Sequence, residues 1–352
     1  MKAAKKNLRD MTVSDLEGLC TEHEVQKFRA RQVFKWLYKG IKSIDEMSDI
    51  PLDFRNILKE SFYIGSIEIE KKFLSQKDGT VKYLLKLKDG NIIESVLMKY
   101  GFGISVCLST QVGCRMGCSF CASTIGGLIR NLTPGEVIDE VLTMQEDCQE
   151  RISNIVLMGS GEPFDNYANI IKFLKIVNDK DGLNIGMRHI TLSTCGLVPE
   201  IIKLGDLNLQ LTLAVSLHAP NDEIRREIMP VANKYAINDI IDACRYYINK
   251  TNRRITFEYS MIKGVNDGID NAYELAELLK GLLCHVNLIP INEIEESKHK
   301  KSHMGRVNEF KKILENKGIE VTVRRELGAD INAACGQLRK NYVSNNRGEA
   351  RF

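Results

Sequence analysis

From about residue 104 the chain alternates short apolar runs with stretches of helical period, and this alternation restricts its fold more than any other feature. Strands are expected at 104–109, 154–158, 189–193, 211–216, 255–261 and 285–290. The clearest intervening helix starts at the capping box Thr133-Pro-Gly-Glu136, after which Val137, Ile138, Val141 and Leu142 form one apolar face. Six strand–helix units in succession demand a parallel sheet wrapped by helices. Small polar motifs follow nearly every strand. That favours an incomplete barrel over an open doubly wound sheet, because barrels collect their sites at the C-terminal strand ends. A last strand at 320–324 leads into a polar, glycine-containing tail. Upstream, residues 1 to about 60 carry helical spacing broken at Pro51, and 62–100 change to a strand-like period with a turn at Asp89-Gly90. The expected class is α/β: an accessory segment over 1–100 (helical, then a small β meander), a partial (β/α)6 barrel over 101–325, and a tail over 326–352.

The first barrel strand runs into Cys114-x-x-x-Cys118-x-x-Cys121, with the aromatic Phe120 inside the triplet. Three thiolates so close together, with no fourth ligand nearby, suit a [4Fe–4S] cluster that keeps one iron open, since such clusters ordinarily take one cysteine per iron. The arrangement resembles that of radical S-adenosylmethionine (SAM) enzymes, in which SAM's amino and carboxylate groups chelate the open iron. Zinc is the competing reading. It usually draws on paired C-x2–4-C elements giving four ligands, and no second pair stands in this sequence.

The chain has ten cysteines, no apolar stretch approaching the roughly 20 residues of a membrane span, and no apolar signal core at its N-terminus. This reads as metal or redox chemistry in the cytoplasm, with no membrane association, before structural disulfides. A net charge of +3 is too small to argue for nucleic acid, but its distribution says more. Residues 27–42 hold six basic side chains and no acid, interleaved with Phe28, Phe34, Trp36 and Tyr38. Residues 298–352 hold thirteen Lys/Arg against six Asp/Glu. Such flanking patches suit a polyanion. Equally, 27–42 reads as an amphipathic helix with core aromatics and a solvated basic face.

The strand ends carry the remaining candidates. Met158-Gly-Ser-Gly-Glu-Pro163 follows the second strand, where small residues let backbone approach a ligand and Glu162 can accept from an ammonium. Ser193-Thr-Cys-Gly196, Ser216-Leu-His-Ala-Pro220 and Leu288-Ile-Pro-Ile-Asn292 follow later strands. Each alone is an ordinary turn; together on one end of a barrel they argue for a shared pocket. Cys335 sits among small residues in the tail, as a travelling nucleophile or a small buried hydrophobe. Cys107, on the strand before the triplet, points either into the cavity or into the core.

In order and spacing, Ser-Thr-Gln-Val-Gly-Cys114, Cys118, Phe-Cys121, Gly-Glu-Pro163, Ser-Thr-Cys-Gly196, Ser-Leu-His218, Leu-Ile-Pro-x-Asn292 and Ala-Ala-Cys-Gly-Gln-Leu338 resemble the RlmN/Cfr family of radical-SAM RNA adenine methyltransferases. The resemblance spans nearly the whole chain and is nearer to the C2 than to the C8 methylators. It implies that Cys114, Cys118 and Cys121 hold the cluster, and that Gly161, Glu162, Ser193, Ser216, Leu217, His218 and Asn292 hold SAM. His218 can equally be a structural hydrogen-bonder. The resemblance further implies a relay. Cys335 takes a methyl group from one SAM as a thiolate, and a 5′-deoxyadenosyl radical from a second SAM removes hydrogen from it. The methylene radical adds to the base, Glu94 accepts the ring proton, and Cys107 attacks Cys335 to form a transient disulfide that releases the product. Without the resemblance, Glu94 reads as a solvated hairpin residue. Implied partners are 23S rRNA near the peptidyl-transferase centre, tRNA at the adenosine 3′ of the anticodon, and a flavodoxin- or ferredoxin-type electron donor; a monomer is expected. Ser160 departs from the family's Met-Gly-Met-Gly-Glu and bears on packing around the cofactor. Methylation at C8, and a non-catalytic RNA-binding iron–sulfur sensor, are the alternatives.

Overall fold

The computed structural model describes residues 5–293 and 297–331, so Cys335 lies outside the described residues. At the N-terminal end, β1 (Lys6–Asn7) precedes the helices α1 (Val13–Glu22), α2 (Phe28–Leu37) and α3 (Leu52–Ser61), and β2 (Phe62–Tyr63) pairs back onto β1. Thr12 starts α1 through a capping box with Asp15, and Pro51 stands just before α3, where its missing N–H breaks no helical bond. Within the basic run, α2 buries Ala30, Val33, Phe34 and Leu37 and exposes Arg31 and Lys35, with Lys27 and Lys39 exposed just beyond its two ends. Part of that charge is engaged within the chain: Arg31 and Lys35 pair with Asp181 at 2.8 and 3.3 Å, and Lys42 with Glu146 at 2.6 Å.

The meander follows as β3 (Glu68–Leu74), β4 (Val81–Lys86) and β5 (Ile92–Tyr100). Next come β6 (Gly103–Cys107) and the short pair β7 (Gln111–Gly113) and β8 (Leu128–Asn131), which bracket the cysteine loop. The regular units are α4 (Pro134–Cys148), β9 (Ile152–Leu157), α5 (Tyr167–Asn178), β10 (Ile190–Thr194), α6 (Val198–Asp206) and β11 (Thr212–Ser216). They continue through α7 (Asp222–Ile228), α8 (Ile237–Thr251), β12 (Ile255–Met261), α9 (Ile269–Leu278), β13 (Cys284–Pro290), α10 (Met304–Asn316) and β14 (Glu320–Val323). The Thr133 capping box forms as expected, and Val137, Ile138 and Val141 are fully buried. The same helix also buries two acids, Asp139 and Glu140. Asp139 pairs with the buried Arg9, which donates to the Gly65 carbonyl at 2.7 Å and so fastens the N-terminal helices to the barrel.

Among the described residues, ten strands form one sheet in the order β14-β13-β12-β11-β10-β9-β6-β5-β4-β3. Strands β6 and β9–β14 run parallel, as the partial barrel requires. Strands β3–β5 are antiparallel and continue the same sheet, because the hairpin after Tyr100 turns β6 straight back along β5. The expected boundary at residue 100 therefore falls inside one hairpin of a continuous sheet.

Register divides the sheet into two unlike faces. Val106, Ile155, Leu192, Leu213, Val215, Phe257, Val286, Leu288 and Val321 face the helices and join the main core with Phe173, Tyr247 and Phe310. Strands buried on both sides ordinarily read as continuous apolar runs. Here the opposite face instead carries, in paired rows, Cys107–Val156–Thr191–Thr212 and Ser216–Glu258–Asn287–Thr322. That polar face lines the inside of the barrel. A surface so furnished belongs to a ligand cavity rather than to a packed core.

Candidate active site

The cysteine loop turns sharply because Gly113 and Gly117 adopt φ of +80° and +74°, in the left-handed region open to glycine. Cys114 is buried and Cys118 and Cys121 are half-buried. Burial pushes the Cys114 thiol up to about 12 and the Cys118 thiol higher still, and the charge of neighbouring cysteines adds to both shifts. Thiolates that repel one another ionise together only around cations. Among the described residues no three His, Cys, Asp or Glu side chains converge on a single ion. Three neighbouring thiols spread along one loop suit a multi-iron cluster held at three corners better than a tetrahedral zinc. The loop is seated on the end of α7, where Ser119 N donates to the Ile228 carbonyl at 3.0 Å. Cys118 and Phe120 pack there with Cys195, Met229 and Ile262.

The loop after β9 lies against this one. Gly161 has φ of +109°, and a Cβ there would come within 2.6 Å of Gln111 Cβ, so only glycine fits. The Ser160 carbonyl accepts from Thr110 N at 2.8 Å, while its buried hydroxyl has no hydrogen-bond partner among the described residues. The Glu162 carboxylate, 4% exposed, accepts from Phe164 N at 3.0 Å and Cys195 N at 2.7 Å and so ties the β9 and β10 loops together. Burial raises its pKa. Ser193 and Ser216 stand half-buried on the inner face, and Leu217 is core.

His218 holds φ of +58°, a conformation uncommon for a residue with a side chain and enriched at functional loops. Its Nδ1 accepts from Ser260 N at 2.9 Å, its carbonyl accepts from Asn266 Nδ2 at 2.7 Å, and its ring meets Phe120 edge-on at 5.0 Å. Burial lowers its pKa to about 3, so the ring is neutral. The imidazole is thus a strut between the β11 and β12 loops. Asn292 is exposed beyond β13, at the rim. The strand-end residues from Gly161 to His218 therefore gather at one end of the barrel beside the cysteine loop.

The second part of the site comes from the meander. Glu94 is not a solvated hairpin residue: it is 6% exposed, and its carboxylate lies 3.7 Å from the ammonium of the fully buried Lys82. Val96 pairs directly with Cys107, which puts Glu94, Val96 and Cys107 on the same inner face. Of the two directions open to Cys107, the chain takes the cavity. Cys107 packs with Val96, Met98, Val156, Met158 and Leu327. Leu327 returns from beyond β14, eight positions before Cys335. The returning segment is held by the β3–β4 turn, where Gly328 N donates to Asp78 Oδ2 at 2.8 Å and Asp330 accepts from Ser75 Oγ at 2.7 Å.

Sequence reasoning missed Lys82, Ser109, Glu140 and Glu258. Ser109 is a hub: its hydroxyl donates to the Glu94 carbonyl at 2.7 Å and accepts from Ser160 N at 3.0 Å, while its own N–H donates to Glu140 at 3.0 Å. It links the strand of Glu94 to the glycine-rich loop. Glu258, buried on β12, accepts from Asn287 Nδ2 at 2.8 Å. Charged residues in alternating strands give no sign of burial in a sequence; only register places them.

Residues 108–279 match the family model of the radical SAM superfamily, and residues 6–64 match that of the ribosomal RNA large subunit methyltransferase N-terminal domain. A probable dual-specificity RNA methyltransferase RlmN of Clostridium novyi is 57% identical over 97% of this chain and 100% of its own length. Its counterpart in Alkaliphilus oremlandii is 59% identical over 97% and 99%. The chain belongs to the RlmN family. A solved radical SAM methyltransferase from Sphaerobacter thermophilus, 43% identical, superposes with a TM-score of 0.88 over 94% of this chain and 98% of its own. Membership of the radical SAM superfamily implies a [4Fe–4S] cluster and SAM.

Proposed function

We propose that this chain methylates C2 of adenosine in 23S rRNA near the peptidyl-transferase centre and in tRNA at the adenosine 3′ of the anticodon. It works as a cytoplasmic monomer with a flavodoxin- or ferredoxin-type electron donor. The observation that carries this reading is the shared face of Glu94 and Cys107, beside the segment that leads to Cys335. Membership of a family whose relatives carry the name dual-specificity RNA methyltransferase supports the RNA substrates.

Carbon 2 of adenine is electron-poor and offers no lone pair to an ordinary methyl donor, so the hard step falls to a cofactor. Cys114, Cys118 and Cys121 would hold the cluster, which supplies the electron for radical chemistry on SAM. Gly161, Glu162, Ser193, Ser216, Leu217, His218 and Asn292 would cradle SAM, Gly161 by close backbone approach and His218 through its backbone. Cys335 would carry the methyl carbon as a thioether; one methyl hydrogen would leave to the deoxyadenosyl group that SAM supplies, the carbon would bond to C2, and the surplus electron would return to the cluster. Glu94 then removes the C2 proton from a position where its carboxylate lies 3.7 Å from the Lys82 ammonium. Cys107 attacks the Cys335 sulfur as a thiolate. An S–S bond forms, the carbon–sulfur bond breaks with its electron pair on carbon, and protonation there completes the methyl group. The target base must leave its stack to reach this cavity, which folded single-stranded RNA permits more cheaply than duplex.

Anaerobic turnover on transcribed rRNA and tRNA with isotopically labelled SAM, and mass-spectrometric mapping of the methylated atom, tests the reading. Cys335→Ala should abolish methylation and Cys107→Ala should trap a covalent protein–RNA adduct. Normal methylation by Cys335→Ala would end the relay, and label at C8 would end the C2 assignment.

A further inference from the structure

Arg225 is the most deeply buried cation in the neighbourhood of the cysteine loop, with no exposed surface. It projects from α7, whose last residues form the seat of that loop. Its Nε donates to the Leu217 carbonyl at 3.1 Å, and its Nη2 to the carbonyls of Cys195 at 2.6 Å and Ser216 at 3.3 Å. Every one of these acceptors is neutral. Nη1 is buried with no hydrogen-bond partner, and among the described residues no carboxylate lies within ion-pair distance. A Cβ at Gly196, where φ is +97°, would sit 2.8 Å from Ile240 Cδ1 and 3.3 Å from Arg225 Nη2, so the guanidinium adds to a crowding set chiefly by Ile240.

A fully buried charge without a counter-ion is among the costliest arrangements a protein can hold, and buried charges are ordinarily paired or next to a metal centre. An anion is therefore expected within reach of Arg225. Its field is felt at Cys195 and Cys118, which pack together beside α7, and more weakly at Asp222 one turn back on its own helix. Three thiolates around a [4Fe–4S] core make an anionic unit, and it gains a further negative charge on reduction. A fixed cation next to such a unit favours the reduced state, because cluster potentials follow net charge and surroundings.

We propose that Arg225 is the buried counter-charge of the iron–sulfur centre, holding its reduction potential up while its fork pins the loops after β10 and β11. It acts as a positioning residue, through its charge and through the carbonyls of Cys195, Ser216 and Leu217. The proposal rests on the cluster assigned to Cys114, Cys118 and Cys121.

The wild-type chain, Arg225→Gln and Arg225→Lys, each reconstituted anaerobically with iron and sulfide, test it without turnover. Gln keeps an amide donor for the carbonyls and drops the charge; Lys keeps the charge and drops the fork. Iron and sulfide per chain are measured first, then the midpoint potential by EPR-monitored redox titration in the absence of SAM. The Gln variant should be about tenfold harder to reduce, about 59 mV more negative for one electron, and the Lys variant should stay within about threefold of wild type. An unchanged potential in Arg225→Gln overturns the proposal. So does an equal fall in both variants, which would leave Arg225 a strut for the loops. Should Arg225→Gln fail to fold or to hold iron, Arg225→Lys decides: a folded, iron-bearing Lys variant supports the counter-charge, and failure of both overturns it. Failure of the wild-type chain to take up iron would bring down the cluster assignment itself, and this proposal with it.

Discussion

Strands β6 and β9–β14 offer their chemistry in the loops beyond their C-terminal ends, whereas β4 and β5 offer theirs from mid-strand. In the parallel part, the strand bodies are walls and the turns after them carry Cys114, Gly161, Glu162 and His218, as barrels ordinarily arrange their sites. In the antiparallel part, Lys82 and Glu94 lie inside the ladder, on the face shared with Cys107. On the proposed reading, one sheet combines a cofactor-binding end with a flank that handles protons and sulfur. The flank can be altered without touching the loops, and the comparison can be broken from either side.

The largest effect is expected at the loop end. Cys118→Ala should lose the reconstituted cluster altogether, seen as absent iron and absent visible absorption, while the fold by circular dichroism stays. Full iron content in that variant would remove the loop's role. On the flank, Glu94→Gln should cut methylation by about 10²–10⁴-fold, the usual range for a positioned acid or base, and leave iron content at the wild-type level. Wild-type turnover in Glu94→Gln would make the meander a scaffold and nothing more.

Lys82→Met sharpens the same contrast through stability. Removing one partner of a buried pair weakens the compensation of the other's charge, a loss of up to about 3–5 kcal/mol in denaturant unfolding. Adding Glu94→Gln to it should recover part of that loss; strict additivity of the two changes would mean that the pair is not coupled. The smallest effect concerns pH. His218 has its folded pKa lowered to about 3 from 6.5, so the unfolded chain binds a proton that the folded chain refuses. Its stabilising contribution is complete above about pH 6.5 and is lost as the pH falls toward 3. The apoprotein should therefore unfold more readily at pH 5 than at pH 7, and His218→Gln should flatten that slope.

Much of the cofactor end was legible because its signals are local. A capping box at Thr133, apolar runs of strand length and three cysteines at fixed spacing each act over a few residues, and the strands form within a residue or two of their expected limits. The flank was legible only through resemblance. In the run 81–88 the lysines look like an ordinary solvated face, and Glu94 looks like its neighbour across a hairpin. Register decides otherwise: β4 against β5, and β5 against β6, turn Lys82 and Glu94 inward. Arg225 is harder still. In a helix of charged residues it is indistinguishable from Arg226, yet one is sealed under the cysteine loop and the other is exposed.

By itself, then, the sequence determined the repeat of strand and helix, the position of each turn and the thiols available to a cluster, since these depend on residues that are neighbours along the chain. Tertiary structure alone decided which charges are buried and which of the two faces becomes a cavity. Those outcomes depend on pairing between strands far apart in sequence, where a shift of one residue would send Glu94 and Cys107 to the opposite side of the sheet.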